Sequence, residues 1–272
     1  MKLGQRFPFL YIVSIWRYRL LRWLRWVFVQ NLATTKQAIP LPYHVASHES
    51  VLLRKLGDSD QRLQQNKIIN LRLASAKINN IIIKPGETFS FWRTIGWATK
   101  QKGYVTGMLL SNGKVMEGIG GGLCQSANLL YWMALHSPLV VTERHRHSYD
   151  IFPDSGRVLP FGTGAAVYYN YVDLQFYNPT KLTFQITIAV DATHLRGEIR
   201  SSALTPISYK IHEVGHRFTQ SKKTDRIFRE NAIYRKSFNK RTGRLLSDKL
   251  LYKNHCATLY TPAAGTPIIE VR

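Results

Sequence analysis

With 272 residues, 44% of them hydrophobic, the chain has length and apolar content enough for a buried core, and it shows no internal repeat or low-complexity tract. A formal charge of +22 directs it toward anionic partners, while two cysteines are too few for a disulfide framework and lack Cys-x-x-Cys zinc spacing. We expect neither a metal nor an organic cofactor. The charge is uneven: Gly86 to Thr180 holds seven Lys/Arg against six acids, so the basic excess lies in the flanks.

Met1 to Ala33 contains no acidic residue; the first is Glu49. Phe9 to Trp16 is apolar before Arg17, Arg19, Arg22 and Arg25 break the run, too short and too charged for a cleavable signal peptide or a membrane span. On a helix, Trp16, Leu20, Trp23, Leu24 and Val27 share a face and the four arginines fall opposite. A basic, tryptophan-rich amphipathic helix is the pattern of a segment lying in a membrane interface. The competing reading is a helix docked on the protein's own core with its arginines in water. The first is preferred, which makes the chain peripheral or associated with the cytoplasmic face of a membrane.

Pro40 and Pro42 mark a connector. Ile68, Leu71, Ala74 and Ile78 predict a helix over Gln61–Ile78, and Ile81-Ile82-Ile83 begins a strand. Lys84-Pro85-Gly86 places proline and glycine where a type II turn wants them, and Thr88 to Trp92 alternates as a strand. Glu87, after that turn, is either a catalytic carboxylate or a bond to backbone amides, and the second is preferred. Ser111-Asn112-Gly113-Lys114 signals a hairpin.

Gly118-Ile119-Gly120-Gly121-Gly122-Leu123-Cys124-Gln125 then packs four glycines into five residues, a backbone that bends sharply and lets another group approach closely. Apolar residues at Ala127, Leu130, Tyr131, Ala134 and Leu135 predict a helix that Pro138 ends. Cys124 therefore sits at a helix N-terminus, where free amides and the macrodipole are expected to lower a thiol's pKa. The alternative is a small buried thiol packed behind the turn. Leu139 to His147 predicts a strand on which His145 and His147 point the same way. A cysteine at a helix start with a histidine on the next strand is the arrangement of Cys-His acyl-transfer enzymes. Downstream, Pro153-Asp154-Ser155-Gly156 is a loop, Ala165–Tyr171 and Val172–Tyr177 are strands, and Lys181–Val190 pairs with His194–Ser201.

Lys84 to Trp92, the Gly120-Gly121-Gly122-Leu123-Cys124-Gln125 turn, Glu143-Arg144 through His147-Ser148, and Val172 to Asn178 together resemble the VanW family, as do Gln5-Arg6-Phe7-Pro8-Phe9-Leu10 and Tyr252 to Cys256. That family is named for an accessory protein of glycopeptide-resistance gene clusters, so the resemblance implies a cell-envelope setting and a peptide-stem substrate, without fixing a reaction. Of the two histidines, His147 is the one that matches the family motif. Many members carry an Asp-Ala pair where this chain has Gly164-Ala165, so Asp173 becomes the candidate to orient the histidine; the alternative is that Asp173 caps or pins a strand. The candidate site is Cys124, His147 and Asp173 as catalytic groups, with Gly120, Gly121, Gly122, Gln125 and Glu87 around the turn or ligand.

From Ile207 to His255 there are thirteen Lys/Arg against four acids, with a hairpin predicted around Asn239-Lys240-Arg241-Thr242-Gly243. No groove-binding or RNA-binding motif accompanies that charge, which argues against nucleic acid, and the VanW resemblance implies an anionic membrane surface or envelope polymer instead. The expected fold is α+β: the Cys124 helix packed on an antiparallel sheet. The expected divisions are an amphipathic helix (1–33), a connector (34–65), a core (66–202) and a basic β extension (203–272). A thiol acyltransferase or amidase and a non-catalytic binding module both fit.

Overall fold

The computed structural model describes residues 8–28, 31–53, 61–111, 113–154 and 158–271. Gln5-Arg6-Phe7 of the family pattern, Asn112 of the hairpin signal and Ser155-Gly156 of the loop lie outside the described residues. In chain order come α1 (Pro8–Phe28), β1 (Tyr43–Val51), α2 (Gln61–Ile78), β2 (Ile81–Ile83), β3 (Thr88–Ser90) and the short α3 (Phe91–Ile95). The hairpin β4 (Thr106–Ser111) and β5 (Lys114–Ile119) leads to α4 (Cys124–Leu135), β6 (Val140–Glu143), β7 (Tyr149–Asp150) and β8 (Gln175–Tyr177). Next are β9 (Phe184–Val190) and β10 (His194–Ser201), then β11 (Ile207–Ser221), β12 (Ile227–Asn239), β13 (Leu245–Thr258) and β14 (Ile268–Val271). The fold is α+β, as the periodicity predicts.

An antiparallel sheet in the order β1-β10-β9-β2 forms the floor, with α2 against β9 and α4 against β1 and β10. Helix α4 lies close because Gly197 has no side chain: a Cβ there would sit 2.5 Å from Leu129 and 2.7 Å from Met133. A second antiparallel sheet, β3-β8-β6, stacks Phe89 on Phe176 with ring centroids 4.7 Å apart. Phe89, Phe91, Phe176, Phe184, Leu129, Leu130 and Met133 are fully buried in one continuous core. Side chains of this size contribute about 1.5–3 kcal/mol each when buried, against about 0–1 for an exposed ion pair. That seam, far more than surface charge, holds α4 in place.

Two predicted strands come out differently. Thr88–Trp92 stops as a strand at Ser90, because the Ser90 hydroxyl caps α3 by accepting from the Arg93 amide at 3.2 Å. Ala165–Tyr171 makes only isolated bridges, since the Tyr168 and Val172 amides and carbonyls pair with each other and fold the segment back on itself. At the basic end, a five-stranded sheet β14-β11-β12-β13-β7 takes its last strand from the central region, with β7 parallel to β13.

Helix α1 presents an unexpected face to the body of the protein. Ile15, Arg19, Arg22 and Trp26 form its covered stripe. Arg22 makes a two-pronged pair with Glu143 at 2.5 and 2.6 Å, and Arg19 donates to the Tyr169 carbonyl at 2.8 Å. The helix docks on the core through two arginines, unlike the alternative that left its arginines in water, and its Trp/Leu/Val face stays exposed. No described helix is long and apolar enough to cross a membrane.

Burial disfavours the Glu143 carboxylate, but hydrogen bonds from His145 and Arg22, the Arg22 charge and the Asp173 amide bring its pKa from 4.5 down to about 2. A depressed carboxylate contributes stability that is present above its unfolded value and lost as pH falls through its folded one. Glu143→Gln should therefore cost about 3 kcal/mol at pH 7, the usual penalty for stranding one partner of a covered pair. Denaturant midpoints measured down from pH 5 should show the gap between variant and native protein closing as pH falls toward 2. A variant with the native midpoint at pH 7 would refute the role of this pair.

Candidate functional site

Strand β5 delivers the chain into the glycine turn, where Gly120 and Gly122 take φ values of 75° and 91°, open to glycine at little cost. What approaches these glycines is the protein itself. A Cβ on Gly120 would lie 2.7 Å from the Ala98 Cβ, on Gly121 2.1 Å from the Gly107 carbonyl carbon, and on Gly122 2.2 Å from Lys67 Cγ. Gly120 and Gly121 thus serve internal packing, and Gly122 is the one of the three that lines the cavity beside the turn. Glu87 lies elsewhere, accepting from the Lys84 amide at 2.8 Å and closing its own turn, the preferred of its two readings.

Cys124 opens α4 and, half-buried, faces a cavity of about 350 Å³ lined also by Gln125, Asn128, His147, Val167 and Tyr168. Its sulfur lies 3.9 Å from the Val167 carbonyl oxygen. Gln125 donates from Nε2 to Ser50 Oγ and to the Val51 carbonyl, both at 2.9 Å, tying the helix start to β1. Both cysteines are free thiols, and Cys256 of β13 lines the same cavity.

The two histidines do not share a face. Strand β6 ends at Glu143 after a bulge, so the alternation that would align them breaks. His145 is exposed and sits 3.3 Å from Glu143 Oε1, whereas His147 reaches the cavity. Burial and the Arg144 charge lower the His147 pKa below 6.5, and burial raises that of Cys124 above 9.0, outweighing hydrogen bonds made by the backbone of Val167 and of Cys124 itself. The expected lowering of the thiol pKa by the helix start is therefore reversed, because desolvation acts on a charge more strongly than one helix end does. At neutral pH both groups are uncharged.

Asp173 is placed away from this pair. It is fully buried, and its carboxylate accepts from Ser90 Oγ at 2.6 Å, the Trp92 and Leu174 amides at 3.0 and 2.9 Å, and Gln175 Nε2 at 2.9 Å. It does not line the cavity. The bonds expected toward His147 run instead to the junction of β3, α3 and β8, and burial lifts the Asp173 pKa to about 6.

Three cavity residues escape sequence reasoning. Asn128 accepts from the Ala165 amide at 2.6 Å beside Gly164, and its i, i+4 spacing from Cys124 is the cue that finds it. Arg144 donates to the Gly162 and Gly164 carbonyls and lies over the Tyr131 and Tyr252 rings, with centroids 5.0 and 4.5 Å away. Tyr168 donates to the Leu110 carbonyl. A second hollow of about 430 Å³, which includes His48, Leu159 and His194, shares Ser50, Val51, Asn128 and Gly164 with the first.

Fold and site together define an α+β protein whose central cleft carries a thiol and an imidazole at a glycine-led helix start. The family model described as VanW like protein matches residues 66–200. Vancomycin B-type resistance protein VanW of Enterococcus faecalis is 32% identical over 99% of this chain and 98% of its own length. The chain belongs to the VanW family. Uncharacterized protein YoaR of Bacillus subtilis is 31% identical over 109 residues, 40% of this chain and 34% of its own. No solved structure gives a significant match.

The raised thiol pKa has a direct readout. Iodoacetamide at pH 7 should modify Cys124 in the folded protein more slowly than it modifies free cysteine, with the rate climbing as pH passes 9.0. Peptide mapping by mass spectrometry separates Cys124 from Cys256. Faster labelling than free cysteine would show a thiolate and contradict the burial argument.

Proposed function

We propose that this chain is an envelope-associated accessory protein of the VanW type whose cleft performs thiol-dependent acyl transfer or amide cleavage on cell-wall peptide stems. The observation that carries the reading is that Cys124 and His147 line one cavity, both uncharged, next to a helix N-terminus. The imidazole takes the thiol proton as the sulfur attacks a substrate carbonyl. Collapse of the tetrahedral adduct forms a thioester, and the imidazolium returns the proton to the leaving amine. Water or a second amine, deprotonated by His147, then releases the acyl group and the thiol. A second hollow next to this cavity, across Asn128 and Gly164, offers room for a second part of a peptide substrate. The name of the Enterococcus relative supports a setting of glycopeptide resistance.

A second reading, a binding module with a structural thiol, draws on the contact of Cys124 Sγ with the Val167 carbonyl. The two separate by mutation. A positioned base is worth about 10²–10⁴-fold in rate, so Cys124→Ala and His147→Ala should abolish acyl-adduct formation on a stem peptide almost equally. Stability should stay within about 2 kcal/mol of the native chain. His147 must be neutral to act, so activity should be retained at pH 6.5 and fall only below it. A Cys124→Ala protein that remains fully functional leaves the binding module standing.

A further inference from the structure

Helix α1 leaves a continuous apolar face uncovered. Phe9, Ile12, Val13, Trp16, Leu20, Trp23, Leu24 and Val27 fall within one arc beside the docked stripe, and Phe9, Leu20 and Val27 are 73%, 55% and 75% exposed. Single exposed apolar residues are ordinary, but a 21-residue helix carrying a whole face of them is a docking surface. We propose that this face lies in the interface of an anionic lipid bilayer and holds the folded body against it. That names the partner behind the envelope placement above and is independent of the thiol chemistry.

Three observations favour a bilayer over a second copy of the chain. The face holds Trp16 and Trp23, residues suited to the headgroup boundary, and exposed Arg17 and Arg25 lie on the same helix within reach of phosphates. The chain carries +22 charges, so two copies repel while an anionic surface attracts. The attachment of α1 to the body is also stiff. Arg22 with Glu143, Arg19 with the Tyr169 carbonyl, the Tyr18–Tyr171 stack at 6.5 Å and the Trp16–Trp97 edge contact at 6.3 Å fix the helix, with Trp16 and Trp23 at the margin of the contact and Phe9, Leu20, Leu24 and Val27 exposed. A helix needed only for packing would turn its tryptophans and leucines inward and leave its arginines in water. This one packs through Arg19 and Arg22 as well as Trp26, and leaves Leu20, Leu24 and Val27 exposed. Tyr169 and Tyr171, which α1 grips, follow cavity-lining Tyr168, so a docked membrane and the cleft share one segment.

Flotation of the full chain with phosphatidylglycerol vesicles tests this. The native chain should float with them, less so with phosphatidylcholine vesicles, and brominated acyl chains should quench its tryptophan fluorescence. Leu20→Glu/Leu24→Glu should cut vesicle binding by at least about tenfold, since each change removes apolar contact and adds repulsion from the lipid. Both positions are exposed, so circular dichroism should be unchanged; the quenching arm needs no variant if it is not. Cys124→Ala should bind as the native chain does, so membrane contact and thiol chemistry fail separately. Native binding by the double variant would place attachment in the basic β sheet and overturn the proposal. Absence of flotation, with dimers in sedimentation that the double variant dissolves, would give the face to a second copy and overturn it equally.

Discussion

Asn70, fully buried in α2, donates from Nδ2 to the Gly121 carbonyl at 2.9 Å and to the Val105 carbonyl at 3.0 Å, and accepts from the Val105 amide at 2.9 Å. One side chain thus ties a helix, the entry to β4 and the glycine turn to a common point. The turn can come that close only because Gly107 and Gly121 meet backbone to backbone, with no room for a Cβ on either. Each buried polar group left without a partner would cost about 1–3 kcal/mol, so the three bonds stand or fall as a unit. The position of Cys124 follows, three residues past Gly121 and at the first turn of α4. Lys67, buried under Gly122, reaches the Leu52 carbonyl at 2.6 Å and Gln64 Oε1 at 2.7 Å, and closes the same corner.

Glu143 is the corresponding hub on the other side of the cleft. Its two oxygens take Arg22, His145 and the Asp173 amide, which joins α1, the end of β6 and the approach to β8. Two covered carboxylates lie near one another here, and their environments drive them apart. Arg22 is close enough to keep Glu143 ionised, while Asp173 receives hydrogen bonds but no neighbouring cation, so burial and then the Glu143 charge favour its protonated form. Glu143, held ionised well into acid, is the charge that faces the arginine. This explains how an arginine helix docks on a basic protein: the central region is nearly neutral, and the acid needed for the pair is supplied locally.

Elements set by local periodicity were legible before the structure. Gln61–Ile78 is a helix with the predicted bounds, His194–Ser201 pairs with Phe184–Val190, and Cys124 stands at the predicted helix start. The basic hairpin was legible too, because alternation from Ile233 to Phe238 and the Asn239–Gly243 turn are short-range signals. What escaped depends on distant partners. An aspartate's role at 173 is set by Ser90 and Trp92, more than eighty residues earlier, and no spacing rule reports that. The orientation of α1 escaped for the same reason. An amphipathic pattern tells which residues share a face, but a single acid at position 143 decides which face is turned inward.

The direction of the thiol shift is the most instructive difference. A helix N-terminus stabilises a thiolate through a few partly solvated dipoles, an effect of about 0.3–1 kcal/mol at an exposed end. Cys124 faces a cleft that Leu109, Leu110, Ile151 and Phe152 help to line, and loss of water there acts on the full charge. Burial raises the thiol and, with the Arg144 charge, lowers His147, so both neutral forms are favoured. A pair built this way resists forming separated charges in the cleft. An exposed thiolate at the same helix start would be reactive toward any electrophile, and burial of Cys124 withholds that general reactivity.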